Sequence, residues 1–413
     1  MSMLTFDEAR GQLLAAAVPV TQTELLPLRE VLGRVLAAAQ HAALDVPPVD
    51  NSSMDGYAVR CSDFPAAGDA TVCVQLPVSQ RIPAGSAAQP LLPGTAARIF
   101  TGAPLPPGAD AIVMQEQCEQ SEPGSVRVHH LPQPGEWIRR AGEDIARGSE
   151  VLTAGVRLGA VQLGIAASLG IARLPVWRRL RVGLLSTGNE LVMPGDCDPQ
   201  QLPPGHIFNS NRFVLHGLLE RLGCAVEDLG SVPDDLNATR TALREAAGRC
   251  DLILSSGGVS VGEEDHVKSA VQAEGALALW KIAIKPGKPL AFGHVAAGAK
   301  RVAFIGLPGN PVASFVTFVM LVRPFILKAQ GAMTSVVRGI ELPAGFDWPR
   351  PDARREFLRA RIGADGRLQL YPNQSSGVLT SLDWADGLID NPPCQIIRSG
   401  DGVRFLPFSE LLD

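Results

Sequence analysis

Asp251-Leu252-Ile253-Leu254-Ser255-Ser256-Gly257-Gly258-Val259-Ser260-Val261-Gly262-Glu263-Glu264-Asp265 passes from an apolar, strand-like segment into a glycine pair and ends on three acids. Adjacent glycines let backbone N–H groups approach an anion, serine hydroxyls add donors, and carboxylates can share a hard cation with phosphate oxygens. The stretch has the parts of a phosphate and metal cradle on a strand-to-helix turn. An ordinary glycine-rich turn carries two of the same features, so the stretch speaks to the fold before it speaks to the chemistry.

Outward from it the pattern alternates. Residues 182–185, 225–229, 251–255 and 302–305 read as buried strands, and residues 211–222, 238–248, 265–273 and 310–330 as helices. Strands alternating with helices over residues 181–330 predict an open, mostly parallel α/β sheet, with ligands beyond the carboxyl ends of its strands. Two further strand-to-helix turns, Ser186-Thr187-Gly188-Asn189-Glu190 and Gly306-Leu307-Pro308-Gly309-Asn310-Pro311, should reach the same edge as Ser255-Ser256-Gly257-Gly258. Each could also be a turn that merely needs glycine. Lys281 and Lys285 alternate with Ile282 and Ile284, and Lys288 follows, which predicts a cationic strand face; solvated edge protection is the competing reading. Glu190, Asp234, Asp235, Glu263, Glu264 and Asp265 are the nearby acids, and two or three could hold Mg²⁺, which needs few protein carboxylates. Asp234-Asp235 reads equally as a helix cap. There is no GxSxG elbow, no Walker-type loop and no metal-ligand spacing among the histidines.

The rest of the chain has a different texture. Thr5 and Glu8 make a capping-box pair ahead of Ala9, Leu13 and Leu14; Leu32, Val35 and Leu36 suggest a second helix, and residues 159–169, stopped by Gly170, a third. Residues 45–144 carry short β-like runs at 70–76, 97–101 and 111–116 between Pro and Gly turns. The tail should form a small β domain from runs at 356–362, 367–370, 394–398 and 403–406. The expected class is multidomain α/β: a helical N-terminal domain from residues 1–44 and 145–180, a β-rich inserted domain at 45–144, the α/β domain at 181–330 and a C-terminal β domain at 331–413.

At 413 residues the chain has ample area to bury. Lys plus Arg number 37 against 42 Asp plus Glu, so it lacks the basic field that nucleic-acid binding needs. Seven cysteines without a CxxC pair fit neither a disulfide framework nor a zinc site, and the first residues lack a signal-like layout. With no membrane segment expected, the chain reads as cytoplasmic.

A second polar cluster, Asp50-Asn51-Ser52-Ser53-Met54-Asp55-Gly56-Tyr57-Ala58-Val59, looks by physics alone like a structural turn. Thr101-Gly102-Ala103 and Arg139-Arg140-Ala141-Gly142-Glu143-Asp144 are similar turns. Together with Ser255 to Asp265, the Lys281-to-Pro289 run and Gly306 to Pro311, however, these segments resemble the MoeA-type molybdopterin molybdenumtransferases, a family that includes the E domain of gephyrin. The resemblance covers nearly the whole chain. It implies a four-part elongated homodimer in which one subunit's insertion faces the other's α/β domain, and a Mg²⁺-dependent insertion of molybdate into adenylylated molybdopterin with release of AMP. By position it implies functional acids at Asp55, Asp144, Glu190, Asp234 and Asp265, basic residues at Lys281, Lys285 and Arg354, and hydroxyls at Thr101 and at Ser375 or Ser376. Substrate would be bound by Ser186, Thr187, Gly188, Ser255, Ser256, Gly257, Gly258, Lys288, Pro308, Gly309 and Asn310, and metal by Glu190 and Asp265. A molybdopterin adenylyltransferase would be the partner that supplies the intermediate. The rival readings are such an adenylyltransferase itself, which would not need the Asp55 segment, and a non-catalytic scaffold, which would not need the acids and lysines.

Overall fold

The structure is a computed structural model that describes residues 3–65, 73–233, 235–257, 266–333 and 337–412. Asp234, Gly258 and Asp265, together with Glu263 and Glu264, lie outside the described residues, as does the start of the run at 70–76. The chain forms two compact units: residues 38–154 with 159–174, and residues 1–37, 155–158 and 175–413.

In the larger unit a six-stranded sheet has the order Ala225–Val232, Arg181–Thr187, Leu252–Ser256, Lys300–Leu307, Pro289–Ala297, Gly275–Lys281. The first four strands are parallel and the last two are antiparallel additions. Alternate residues of each central strand enter opposite cores. Leu184, Leu252, Leu254 and Ile305 pack on one face with helices Ser210–Arg221 and Pro311–Thr317; Leu185, Ile253 and Phe304 pack on the other with Leu243 and Val271. Burial on both faces explains why these strands read as unbroken apolar runs. The helical stretch Pro311–Ala329 is long and apolar enough to cross a membrane, but 94% of it is buried in the protein core. It widens to a π-turn at Phe318–Val322, just ahead of Pro324, whose ring nitrogen has no hydrogen to donate.

The N-terminal helix Phe6–Ala16 begins with the expected capping box, Thr5 Oγ1 accepting from the Glu8 N–H at 3.2 Å and Glu8 Oε2 from the Thr5 N–H at 2.8 Å. Its Phe6, Ala9 and Leu13 join the core of the α/β sheet. The second expected helix does not form. Gly33 takes a φ of +74°, and the backbone of Gly33 and Leu36 donates to Leu158 and Val156. The i, i+3, i+4 spacing of Leu32, Val35 and Leu36 thus belongs to irregular backbone that buries Val35 and Leu36 and exposes Leu32.

Past the α/β sheet, a second six-stranded sheet runs Ile284–Lys285, Arg355–Ile362, Gly387–Asn391, Gly402–Pro407, Ile340–Pro343, with Leu368–Leu370 pairing to Arg355–Ile362. Residues 394–398 are not a strand: Cys394 has a φ of +60° and Ile397 makes one bridge, to Trp348. The wholly buried Gly387–Asn391 takes that place in the sheet.

The smaller unit holds a six-stranded sheet ordered Ala111–Met114, Gly56–Val59, Ala96–Ile99, Val74–Ile82, Ser125–Val128, Cys118–Glu122. Gly56 is dictated by close approach: a Cβ there would stand 2.0 Å from the Val113 carbonyl oxygen. The helix Ala160–Ser168 forms as expected and gives way at Gly170, with φ +72°.

Candidate functional site

The three glycine-bearing turns end three adjacent parallel strands, and the register aligns their carboxyl ends: Ser186 with Ser256, and Ser256 with Leu307. They do meet at one edge. The Gly257 N–H donates to Leu307 O at 3.2 Å, and a Cβ on Gly257, whose φ is +87°, would lie 2.9 Å from Thr187 O. Gly188, at φ +141°, makes room for the exposed Glu190, whose carboxylate folds back over it. Asn211 Nδ2 reaches across to Gly309 O at 2.6 Å, and Asn310 caps the long helix through its backbone. Ser186, Ser255 and Ser256 are buried. Ser255 Oγ donates to Gly257 O at 3.3 Å, whereas Ser186 Oγ and Asn209 Nδ2 are buried without a hydrogen-bond partner among the described residues. These two atoms leave hydrogen-bonding capacity at this edge that water or a ligand can take up.

Lys281 and Lys285 do not share a strand. Burial alternates as expected, with Ile282 and Ile284 enclosed and the lysines more open. The ladder, however, breaks at Ala283, because the backbone changes partners: Ile282 N donates to Lys288 O, Ala283 N to Leu4 O, and Arg355 N to Ala283 O. Lys281 therefore ends the α/β sheet, and Lys285 opens the C-terminal one, opposite Glu356. Lys288 is exposed.

Lys285 meets Arg354 over acids that the sequence reading missed. Arg354 donates to Asp352 through Nε at 2.9 Å and Nη2 at 2.8 Å, and Lys285 Nζ lies 3.5 Å from Asp352 and 3.1 Å from Glu356. The Arg354 guanidinium is the main cause that holds the Asp352 carboxyl far below its ordinary range, and the same bond raises Arg354. Glu356 is fully buried and also accepts from Trp348 Nε1 at 2.8 Å.

Ser375 and Ser376 lie on a loop joined to the third turn: Val312 N, in the first turn of the long helix, donates to Ser376 O at 3.0 Å. Behind that loop sits Arg359, also missed. A charged residue inside Phe357-Leu358-Arg359-Ala360 was the available signal.

In the smaller unit Asp55 and Thr101 are brought together, Asp55 Oδ1 accepting from both the Thr101 N–H and its hydroxyl at 2.8 Å. The N–H first and the hydroxyl second lower the Asp55 pKa. Asp144 is exposed and makes no hydrogen bond with Asp55. Its turn is pinned by Asp50, which accepts from Arg140 Nη1 at 2.6 Å and Ala141 N at 2.8 Å.

Among the described residues no three His, Cys, Asp or Glu side chains gather as a metal site. At the α/β edge Glu190 is one open carboxylate, a donor of the type that Mg²⁺ accepts alongside water and substrate oxygens.

An α/β sheet whose glycine-bearing turns share one edge, followed by a second sheet that opens at Lys285, defines a class of multidomain α/β proteins. Family descriptions tile the chain accordingly: MoeA N-terminal region (domain I and II) over residues 4–170, probable molybdopterin binding domain over 183–328, and MoeA C-terminal region (domain IV) over 341–408. A molybdopterin molybdenumtransferase of Haemophilus influenzae is 45% identical over 80% of this chain and 78% of its own. Molybdopterin molybdenumtransferase 2 of Mycobacterium tuberculosis is 38% identical over 92% and 93%. The crystal structure of the molybdopterin biosynthesis moeA protein from Pyrococcus horikoshii superposes with a TM-score of 0.83 at 28% identity, covering 98% of this chain and 100% of that one. The chain belongs to the molybdopterin molybdenumtransferase family, enzymes of molybdenum cofactor biosynthesis.

Proposed function

We propose that this enzyme inserts molybdate into adenylylated molybdopterin and releases AMP, as a Mg²⁺-dependent cytoplasmic homodimer that receives its substrate from a molybdopterin adenylyltransferase. The observation that carries the reading is the α/β edge, where three glycine-bearing turns end adjacent parallel strands and where Ser186 Oγ is buried without a partner among the described residues. Molybdate and a phosphoanhydride repel each other, so their approach requires fixed cations and preorganised donors. Lys281 and Lys288 supply the charge, and Lys285 and Arg354, held in place by Asp352 and Glu356, supply oriented donors. Ser186, Thr187, Gly188, Ser255, Ser256, Gly257 and Gly258 bind the substrate, together with Pro308, Gly309 and Asn310. Ser375 and Ser376, tied to the helix at Val312, face the oxyanion. The acids Asp55, Asp144, Glu190, Asp234 and Asp265 position water or metal, and Thr101 orients Asp55. Glu190 and Asp265 would hold Mg²⁺, which when bound would polarise a phosphoryl oxygen.

The test is direct. The purified chain is mixed with adenylylated molybdopterin, Mg²⁺ and molybdate, and the released small molecules are identified by mass spectrometry. AMP and molybdenum cofactor in equal amounts are expected; in a parallel mixture of molybdopterin, ATP and Mg²⁺ without molybdate, formation of adenylylated molybdopterin would assign the earlier adenylylation step instead, and no turnover in either mixture would leave a scaffold. Equilibrium sedimentation checks the dimer, and a monomer at micromolar concentration would remove it from the proposal.

A further inference from the structure

Arg359 lies in the strand Arg355–Ile362 on the same face as Arg355 and Phe357, and Phe357 packs into the core of the α/β sheet. It is 1% exposed and makes no ion pair with a carboxylate among the described residues. A buried cation without a counter-ion is costly, and burial alone brings its pKa down to about 10, so it is still charged at neutral pH. Its donors go instead to one loop and the short helix that follows it: Nη2 to the carbonyls of Asn373 at 3.3 Å and Ser375 at 3.0 Å, and Nε to Ser381 Oγ in helix Thr380–Trp384 at 3.1 Å. The loop answers with Gln374, whose side chain accepts from Arg359 N at 3.0 Å and donates to Arg359 O at 2.9 Å, taking the place of a missing neighbour strand. On its far side the same loop offers Ser376 O to Val312 N at the start of the long helix.

From this we infer that Arg359 is a positioning residue for molybdate: it clamps the Asn373–Ser376 loop so that the Ser375 hydroxyl and the helix start at Asn310–Val312 keep one fixed spacing for the oxyanion. The inference rests on the proposed role of Ser375 in binding molybdate. Geometry supports a clamp over simple packing, because among the described residues every bond of the guanidinium is made to this loop or to Ser381 in the helix that follows it. Positive charge with no carboxylate beside it among the described residues also favours an anion seated on the loop.

Molybdate binding to the full-length protein is measured by isothermal titration calorimetry and by the molybdate concentration for half-maximal turnover, with thermal unfolding recorded for each variant. Arg359→Lys keeps charge and bulk but loses the fork, and should weaken molybdate binding by about tenfold, as for loss of a charge-assisted hydrogen bond, with kcat at saturating molybdate within about twofold of the parent. Ser375→Ala should weaken binding similarly. Combined, the two should be no worse than Ser375→Ala alone, since a clamp acts through what it holds, whereas independent damage would multiply. Multiplying effects, or a lowered kcat with unchanged molybdate affinity, would overturn the clamp. Should Arg359→Lys fail to fold, Gln374→Ala, on a partly buried residue, cuts the same attachment and should weaken binding in the same direction by about threefold; unchanged affinity there sinks the inference. If Ser375→Ala itself binds molybdate normally, it is the proposed role of Ser375 that fails, and the Arg359 clamp has no ligand to serve.

Discussion

Asp55 and Asp352 are both carboxylates whose ionised form is favoured, and the two regions achieve it by opposite means. Asp55 is held by neutral donors, the N–H and hydroxyl of Thr101, so it keeps a net negative charge near solvent. Asp352 is held by Arg354 and Lys285, with Glu356 beside it, so two acids and two bases cancel. On the proposed function, the difference separates a carboxylate available to act on a ligand from carboxylates that orient cations. It also ranks the lysines: Lys281 makes no ion pair among the described residues, and Lys285 makes two.

If that contrast is correct, Asp55→Asn has the largest effect. The carboxamide keeps the Thr101 contact, so the fold should survive, while turnover should drop on the order of 10²–10³-fold, as when a positioned acid or base is lost. Turnover within threefold of the parent would make the Asp55 loop a structural turn after all. On the other side Glu356→Ala should act on stability, leaving Lys285 and Trp348 Nε1 without their buried acceptor. Urea unfolding should show a loss of about 2–3 kcal/mol, limited because Lys285 is 40% exposed and can rehydrate. A third substitution compares the lysines directly. Lys281→Gln should raise the molybdate requirement by about tenfold and Lys285→Gln by about threefold, on the scale of one exposed charge contact against one already screened by acids. The reverse order would mean that the acids around Lys285 let go when substrate arrives.

The smallest effect concerns pH. Thr101 lowers the Asp55 pKa, so the charged form is complete above the ordinary carboxylate range and is lost only as pH falls through the lowered value. Thr101→Val removes the hydroxyl donor, keeps the N–H, and should move the acid limb of the kcat/KM profile to higher pH. An unmoved limb would detach that limb from Asp55.

The α/β sheet was legible because burial on both faces writes strands as short apolar runs, and glycine marks their carboxyl ends. The one-edge placement of Ser186, Ser255 and Gly306 followed from parallel topology. Local periodicity misled where the backbone drew its partners from distant segments. Leu32, Val35 and Leu36 had helical spacing, but Gly33 and residues 155–158 set their conformation. Lys281 and Lys285 had strand spacing, but Leu4 and Arg355 interrupt the ladder between them. Asp352, Glu356 and Arg359 stayed hidden because their meaning depends on partners distant in sequence or brought in by a loop, Glu356 with Lys285 on the neighbouring strand and Arg359 with residues 373–381. The Asp50-to-Val59 segment looked like a self-bonded turn. Only Ser52 behaves so, bonding Met54, while Asp50, Ser53 and Asp55 hold the distant Arg140, Trp137 and Thr101.

The docking of helix Phe6–Ala16 has a consequence for the order in which a growing chain acquires structure. Leu4 N donates to Lys281 O, Val20 N to Ala329 O, and Lys328 Nζ to Leu14 O, so this helix has no seat until residue 329 has left the ribosome. At about 5–20 residues per second that is a delay of tens of seconds. The smaller unit is complete in sequence by residue 174 and needs no such wait. Nascent chains arrested after residue 240 should therefore already protect residues 73–154 from protease while the first helix is still cut; equal protection of both would show that an early surrogate shelters Phe6 and Leu13 during synthesis.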